Sequence, residues 1–286
     1  MKIGVVLAGG ANKGAYEIGA VKALTEQFSR SEIAVVSASS IGVLSAYALC
    51  TGKIAELEAE WEELSSEGSR RFFLKFASNA PLIGKIRSYV REEDTLEPEL
   101  FATVWNFTGR QVEYIRLNDL SCEERKSFLQ ASLAFPVFAQ GVRIRGNVYL
   151  DGALLDNIPV YPLLNKELDY IVCVYFENKN FLFETDTFDR RVIKINGFPS
   201  TGPLSDTLVY DPAKAGNMVE YGYRYTKMTL KTVFSSDDPA EIARNMETLR
   251  TRDRLAVERR ILTADSCLRA MNRLMGHMAK RKIKGS

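Results

Sequence analysis

Two hydrophobic periods alternate at the start of the chain. Ile3 to Leu7 and Ile33 to Ser39 are short, mostly apolar runs with β-branched residues, as in strands buried on both faces. Each is followed by apolar residues at helical spacing, over residues 15–28 and 41–49, and the second helical segment stops at Gly52. The order strand, turn, helix, repeated twice, predicts a parallel sheet with helices packed against it.

The same patterns predict the remaining elements. Expected strands lie at residues 112–117, 142–150 (two short strands joined at Gly146-Asn147), 170–176 as an interior strand, and 192–195. Expected helices lie at residues 54–64, from a capping box at Ser121 and Glu124 to near Pro136, at 212–230, and from a cap at Asp238 onward. Residues 68–110 follow no single period and stay unassigned.

Composition and charge limit the class of protein. With 286 residues, 46% hydrophobic and 26% charged, the chain has the make-up of a soluble globular protein. The formal net charge of +2 gives no reason to expect a nucleic-acid partner. We expect a core over residues 1–200 and a helical C-terminal region over residues 201–286 that packs on it, while the oligomeric state stays open.

The C-terminal tail differs in charge from the rest of the chain. Residues 251–286 hold ten basic and three acidic residues. This tail predicts peripheral contact with an anionic membrane, and the alternative is a helix that covers the body with its charged face in water.

Cysteine usage and hydropathy bear on the compartment. The four cysteines form no CxxC or other metal-ligand spacing, so we expect reduced thiols, a cytoplasmic location and no metal or cofactor. Residues 33–52 carry no charge, but their serines and their β-branched start favour a buried strand and helix over a membrane span.

The segment Ala38-Ser39-Ser40-Ile41-Gly42 joins an expected strand to an expected helix. In that context a serine on a sharp turn projects into a cleft and sits at a helix N-terminus, which favours developing negative charge. Ser40 is therefore a candidate nucleophile. The alternative is that Ser39 or Ser40 only caps the helix.

A second motif, Gly9-Gly10-Ala11-Asn12-Lys13-Gly14, follows the first expected strand. Small residues let backbone N–H groups approach an anion, which suits either an oxyanion hole or a nucleotide-phosphate loop. The sequence satisfies neither G-x-G-x-x-G nor the P-loop pattern, which favours the oxyanion hole once the other motifs are counted.

Histidine usage limits the choice of catalytic base. The chain has one histidine, His277 in the basic tail, so a Ser-His-Asp triad is not expected. Asp151 in Asp151-Gly152-Ala153 follows an expected strand and is the best-placed base for Ser40, although an Asp-Gly pair is ordinarily a turn. Asp156-Asn157 is assigned to turn and capping duty.

Together these segments resemble the patatin-like phospholipase family over most of residues 1–160. The glycine-rich residues 9–14 resemble its oxyanion loop with a basic residue, Ser40 its nucleophile, and Asp151-Gly152-Ala153 its D-G-[GA] aspartate motif. Ala11 and Ala38 depart from the family pattern, which usually has glycine at both positions. A positive φ at Ala11 or crowding at Ala38 would impair the site.

The resemblance implies a three-layer α/β sandwich with a mostly parallel central sheet flanked by helices. It also implies a serine lipid acyl hydrolase, of the phospholipase A or lysophospholipase kind, that uses a Ser40 acyl-enzyme with Asp151 as base. The expected substrate is a glycerolipid or phospholipid. The alternative function is a non-catalytic lipid- or nucleotide-phosphate-binding protein with a degraded hydrolase site.

Overall fold

A computed structural model describes residues 1–66, 86, 88–136, 139–177, 186–197 and 212–255 of the chain. Within these ranges eight strands form one sheet in the order β5-β6-β3-β2-β1-β7-β8, and β4 pairs with β3 off this path. The strands are β1 Ile3–Leu7, β2 Ile33–Ser39, β3 Glu99–Asn106, β4 Gln111–Arg116, β5 Val142–Ile144, β6 Asn147–Asp151, β7 Tyr170–Tyr175 and β8 Val192–Asn196.

The helices follow the sequence pattern closely. They are α1 Gly14–Gln27, α2 Gly42–Thr51, α3 Ile54–Ser66, α4 Cys122–Ser132, α5 Asp186–Asp189 and α6 Pro212–Val233, and residues 239–255 form a further helix, α7. The capping box at Ser121 and Glu124 is confirmed, but α4 ends at Ser132 rather than near Pro136. Asp238 caps α7 by accepting a hydrogen bond from the Ala240 N–H at 3.1 Å.

The centre of the sheet is parallel, and β1 lies between β2 and β7 with no exposed residue. Alternate β1 side chains enter two cores. Val5 and Leu7 pack with α1 and α2, whereas Val6 packs on the other face with residues from the segment 158–168 and from α5. Both faces are thus covered, which explains the continuous apolar character of β1. The expected α/β fold with a mostly parallel, helix-flanked sheet is confirmed.

Strand β3 lies in the segment that the sequence pattern leaves unassigned. It pairs with β2 over residues 99–103 in parallel, then with β6 over residues 104–106 in antiparallel fashion. Because β4 pairs with residues 101–106 and therefore occupies the opposite edge, β2 and β6 share one edge of β3. Their carboxyl ends meet there, since Ser39 is opposite Thr103 and Asp151 is opposite Val104.

Helix α6 crosses α1 with backbone in contact with backbone. A Cβ atom added at Gly19 would overlap the Val219 carbonyl oxygen, and one added at Gly222 would overlap the Tyr16 carbonyl oxygen. Two glycines therefore set the distance between these helices, and α1 is buried between the sheet and α6. The domain boundary at residue 200 stays a prediction because it falls outside the described ranges.

The cysteines and the hydropathy of the helices bear on the expected compartment and on the expected lack of a membrane span. Cys50, Cys122 and Cys173 are free thiols and are buried. No helix in the described ranges is both long and apolar enough to cross a bilayer. His277 and all of the basic tail beyond residue 255 lie outside the described residues.

Candidate active site

The meeting of β2 and β6 on β3 brings Ser40 and Asp151 together. Ser40 is the first residue after β2, and Asp151 is the last residue of β6. Ser39, the residue before Ser40, pairs with Thr103, and Asp151 pairs with the next residue of β3, Val104. Two residues that are 111 positions apart in the chain therefore reach the same point of the sheet, as the mechanism inferred from the sequence requires.

Ser40 has the backbone geometry of a strained strand-to-helix turn. Its φ is +50°, in the left-handed region that residues other than glycine rarely adopt. Its side chain is only partly buried. Ser39 is fully buried and donates to the Asp156 carbonyl oxygen at 3.1 Å. Neither serine caps α2, whose N-cap residue is Ile41 without a side-chain hydrogen bond. The capping interpretation of the two serines is therefore wrong.

Asp151 is a buried carboxyl group with one oxygen left without a standard hydrogen bond. It is 1% exposed, and its Oδ1 accepts a hydrogen bond from the Ala153 N–H at 2.9 Å. This bond caps a short helical turn at Gly152–Leu154, so the Asp151-Gly152 pair does begin a turn, as such pairs ordinarily do. Oδ2 is buried and accepts no hydrogen bond of ordinary geometry, although the Ser40 hydroxyl is near enough to affect titration.

The surroundings of Asp151 shift its protonation equilibrium strongly. Burial raises the pKa of Asp151 from 3.8 to about 7, and the nearby Ser40 hydroxyl and the hydrogen bond from the Ala153 N–H oppose part of that rise. A carboxyl group with a pKa near neutrality is a far better proton acceptor than an exposed aspartate, because its affinity for a proton matches the working pH. The group can therefore serve as a general base.

The glycine-rich loop packs directly against Ser40. A Cβ atom added at Gly9 would lie 2.6 Å from the Ser40 Cβ and 2.5 Å from Asn157 Oδ1, so only glycine fits there. The Gly9 N–H donates to Asn157 Oδ1 at 2.9 Å and is not available to an oxyanion. Within the described chain, the N–H groups of Gly10 and Ala11 donate to no protein acceptor, which leaves them open to bind one.

Ala11 has a φ of +51°, which is the condition under which the alanine was expected to impair the loop. An alanine in the left-handed region costs about 1–2 kcal/mol relative to the right-handed region. The loop nevertheless keeps this conformation, so the strain is stored in the folded protein.

Asn12, Lys13 and Gly14 complete the loop and have packing roles. Asn12 and Lys13 are 4% and 3% exposed, and the Lys13 Nζ lies 5.4 Å from the centroid of the Phe176 ring. Gly14 starts α1 against Ile41, the residue after Ser40. Lys13 and Gly14 thus anchor the loop against Phe176 and Ile41, and Asn12 is buried beside them.

The other motif residues explain the close approach of the elements. A Cβ atom added at Gly42 would lie 2.9 Å from the Leu7 carbonyl oxygen, and one added at Gly152 would lie 2.9 Å from the Val104 nitrogen. Ala38 is fully buried in β2 and pairs with Leu7 and Ala102 in regular register. Its methyl group lies in the core on the sheet face covered by α1 and α2, so the strand pairing is regular at this position, while crowding of the strand–helix packing stays a prediction.

Asn157 has a role that the sequence did not reveal. Its Oδ1 accepts from the Gly9 N–H, and its Nδ2 donates to the Gly9 carbonyl oxygen at 3.1 Å. One side chain thus ties the segment after Asp151 to the glycine-rich loop across 148 residues of sequence. The assignment of Asn157 to a turn was incomplete, because no local spacing indicates such a distant contact.

The described part of the chain was compared with the ligand groups that bind metal ions in proteins. No group of three or more His, Cys, Asp or Glu side chains there could hold a metal ion. Asp151 and Ser40 stand beside backbone donors.

Comparisons with known proteins bear on the family and the fold of this chain. The family model described as patatin-like phospholipase matches residues 5–164. The solved structure of VipD from Legionella pneumophila is similar with a TM-score of 0.50 and 16% identity, over 80% of this chain and 66% of that one. ExoU in complex with SpcU, from the type III secretion system of Pseudomonas aeruginosa, has a TM-score of 0.42 and 16% identity, over 93% of this chain and 61% of ExoU.

This chain therefore spans 66% and 61% of those two proteins, and the VipD likeness bears on the fold alone. A comparison with curated proteins finds no significant match.

Proposed function

This chain belongs to the patatin-like phospholipase family, and from that premise we propose that it hydrolyses fatty-acyl esters of glycerolipids or phospholipids with a Ser40-Asp151 dyad. The family makes it a lipid acyl hydrolase in general terms. The dyad, the phospholipase A or lysophospholipase type and the classification as a carboxylic ester hydrolase are the finer parts of the proposal.

The proposed reaction has two stages that share one base. Asp151 Oδ2 removes the hydroxyl proton as Ser40 Oγ attacks the ester carbonyl carbon, and the N–H groups of Gly10 and Ala11 stabilise the oxyanion. When the tetrahedral intermediate collapses, the protonated Asp151 gives its proton to the departing alcohol. Water then attacks the acyl-enzyme with Asp151 again as base, which releases the fatty acid and restores Ser40.

One observation carries the proposal. A buried carboxyl oxygen with a pKa near neutrality and no ordinary hydrogen bond lies beside the partly exposed hydroxyl of a strained turn. A structural aspartate would be expected to satisfy both of its oxygens, because an unpaired buried polar atom destabilises the fold. Strained backbone and a perturbed pKa at the same place are typical of an active site.

The test is fatty-acid release from phospholipid and from short soluble esters by the parent protein, Ser40→Ala and Asp151→Asn. We expect both variants to lose at least about a thousandfold in kcat, because each removes a group that acts in the transition state. Retained activity in either variant would refute the dyad.

A fluorophosphonate probe gives a second readout that needs no knowledge of the substrate. The probe should attach covalently to Ser40, and labelling should disappear in Ser40→Ala. Ser39→Ala is the matched control, because Ser39 is the adjacent serine but is fully buried and donates to a backbone carbonyl. Label found on Ser39, or labelling that survives in Ser40→Ala, would contradict the assignment.

The strain at Ala11 gives the second candidate function its support. If the left-handed alanine displaces the loop N–H groups from an oxyanion, the protein binds a lipid or nucleotide phosphate without hydrolysing an ester. A thermal shift on addition of nucleotide or phospholipid, together with no esterase activity and no probe labelling, would support this function. Formation of an acyl-enzyme would exclude it.

A further inference from the structure

A surface groove lies next to the candidate active site, on the sheet face opposite α4. We call it the rim groove and define it by Trp105, Phe107, Arg110, Arg143, Val148 and Leu155. It is open to solvent. No step of the proposed reaction uses any of these residues.

Strand register explains why these residues share a face. Trp105 pairs with Leu150 and Arg143 pairs with Val148, so the alternate residues of β3, β5 and β6 point to the same side. The residues between them point to the other side, where Tyr149 packs edge-on against Phe128 of α4 with ring centroids 5.3 Å apart. One face of this part of the sheet is therefore covered by a helix, and the other face carries the groove.

Exposed apolar side chains concentrate around the rim groove. Eight large apolar side chains are exposed in the described part of the chain. Phe107 and Leu155, each 53% exposed, line the groove, and Leu154 at 56% is the sequence neighbour of Leu155. Tyr161 at 64% stacks on Tyr114, whose pairing partner Thr103 is on the same side of β3 as Trp105. Leu154 and Leu155 follow Asp151 by three and four residues. A cluster of this kind marks an interaction surface more often than scattered single residues do.

The charged side chains that line the groove are arginines without an acidic partner among the described residues. Arg110 and Arg143 are exposed and have no ion pair among the described residues. Arg145, one position beyond Ile144, differs because its guanidinium is bound by Glu124. Of the residues that the structure describes, none that lines the groove is acidic. An occupant with negative charge and apolar groups would complement this surface.

We infer that the rim groove with Leu154 and Tyr161 docks the protein on the surface of an anionic lipid bilayer. Leucine side chains would enter the interface while the two arginines contact lipid phosphates, a combination that binds membranes better than either feature alone. The inference rests on the proposed function in one respect, because the docked face holds the segment that follows Asp151 and would bring the active site to its lipid substrate.

Vesicle sedimentation tests the inference without hydrolysis when every variant is made in the Ser40→Ala background. The probes are vesicles of phosphatidylcholine alone and of phosphatidylcholine with phosphatidylserine. One variant carries Arg110→Gln with Arg143→Gln, and another carries Leu154→Ser with Leu155→Ser. The matched control carries Met228→Ser with Lys231→Gln, an exposed apolar residue and an exposed cation on α6.

We expect the arginine variant to bind anionic vesicles about fivefold more weakly for each arginine removed. The leucine variant should bind both kinds of vesicle about tenfold more weakly, because less apolar surface enters the interface. The control should bind like the parent. In the active background, hydrolysis of a short soluble ester should be unchanged in the groove variants.

Failure of the inference and failure of the proposed function give different results. Vesicle binding that does not respond to the groove substitutions, or a parent protein that does not bind anionic vesicles, overturns the inference and leaves a protein as the groove's occupant. Loss of vesicle binding in both groove variants supports the inference even where the active protein releases no fatty acid, a result that would count against the proposed function alone.

Discussion

Asp151→Asn separates the contribution of this buried carboxyl group to catalysis from its effect on stability. The substitution keeps the shape of the side chain and the Oδ1 acceptor of the Ala153 N–H, but it removes the titrating group. We expect a variant that is inactive and also more stable than the parent at alkaline pH. A substitution at a purely structural aspartate would be expected to lower stability instead.

The magnitude follows from the pKa of Asp151, which burial raises from 3.8 to about 7. In the unfolded chain the group titrates near its ordinary value, so between about pH 4 and about pH 7 the folded protein holds a proton that the unfolded chain has released. Stability from this group therefore falls as the pH rises across that window. A shift of roughly three pKa units corresponds to about 4 kcal/mol, reached in full above about pH 7.

Urea unfolding of the parent and of Asp151→Asn at about pH 4.5 and about pH 8 measures this effect. The difference in unfolding free energy between variant and parent should grow by about 3–4 kcal/mol from the lower to the higher pH. Asp237→Asn is the control at an exposed position, and its difference from the parent should stay nearly constant. A constant difference for Asp151→Asn as well would refute the argument that this carboxyl group is buried and hard to ionise.

Four further outcomes are expected. For a soluble ester, kcat/KM of the parent should rise with pH around a midpoint near 7, as Asp151 loses its proton; a flat profile across that range would contradict its role as base. Ala11→Gly should raise the unfolding free energy by about 0.5–1 kcal/mol because it relieves a left-handed alanine, whereas Ala55→Gly on the exposed side of α3 should lower it by up to about 1 kcal/mol. Asn157→Ala removes both hydrogen bonds to Gly9, so chemical denaturation should show an unfolding free energy lower by about 1–3 kcal/mol. Ester kinetics should show kcat lowered by at least tenfold, and an unchanged kcat would contradict the positioning role. Gly222→Val should separate α6 from α1 and lower the thermal midpoint strongly or prevent folding, whereas Gly216→Ala on the open side of α6 should raise it slightly.

Much of the fold could be predicted because local sequence determines it. Strands β1 and β2 are continuous apolar runs, and the helices after them keep apolar residues at helical spacing, so their positions followed directly from the sequence. Strand β3 could not be assigned in this way. Its place between three partner strands is fixed by contacts with distant segments, and its own residues mix charged, aromatic and small side chains.

The candidate site was predictable in part for the same reason. Ser40 and Asp151 each carry a local signal, a serine between strand and helix and an aspartate at the end of a strand. The contact of Asn157 with Gly9 carries none, because it depends on how the segment after β6 folds back over the sheet. The φ of Ala11 is also set by the surrounding structure rather than by the alanine, which would by itself avoid that conformation.

Three unfavourable features of this protein lie together at the candidate site, and their proximity supports a functional interpretation. Others lie elsewhere in the described chain, namely the positive φ angles of Arg110 and Arg145 in exposed turns and the buried, unpaired carboxyl group of Glu17 in α1. Ser40 and Ala11 have positive φ angles, and Asp151 is a buried carboxyl group with one unsatisfied oxygen. Each of these destabilises the fold by an amount on the order of 1–4 kcal/mol, which is a large share of the stability of an ordinary domain. Glycines at positions 9, 42 and 152 hold the surrounding backbone too close for the strained residues to relax without disrupting the sheet edge. At the candidate site, strained backbone and a carboxyl oxygen without a hydrogen bond lie beside a partly exposed hydroxyl group, which is the combination needed to activate that hydroxyl.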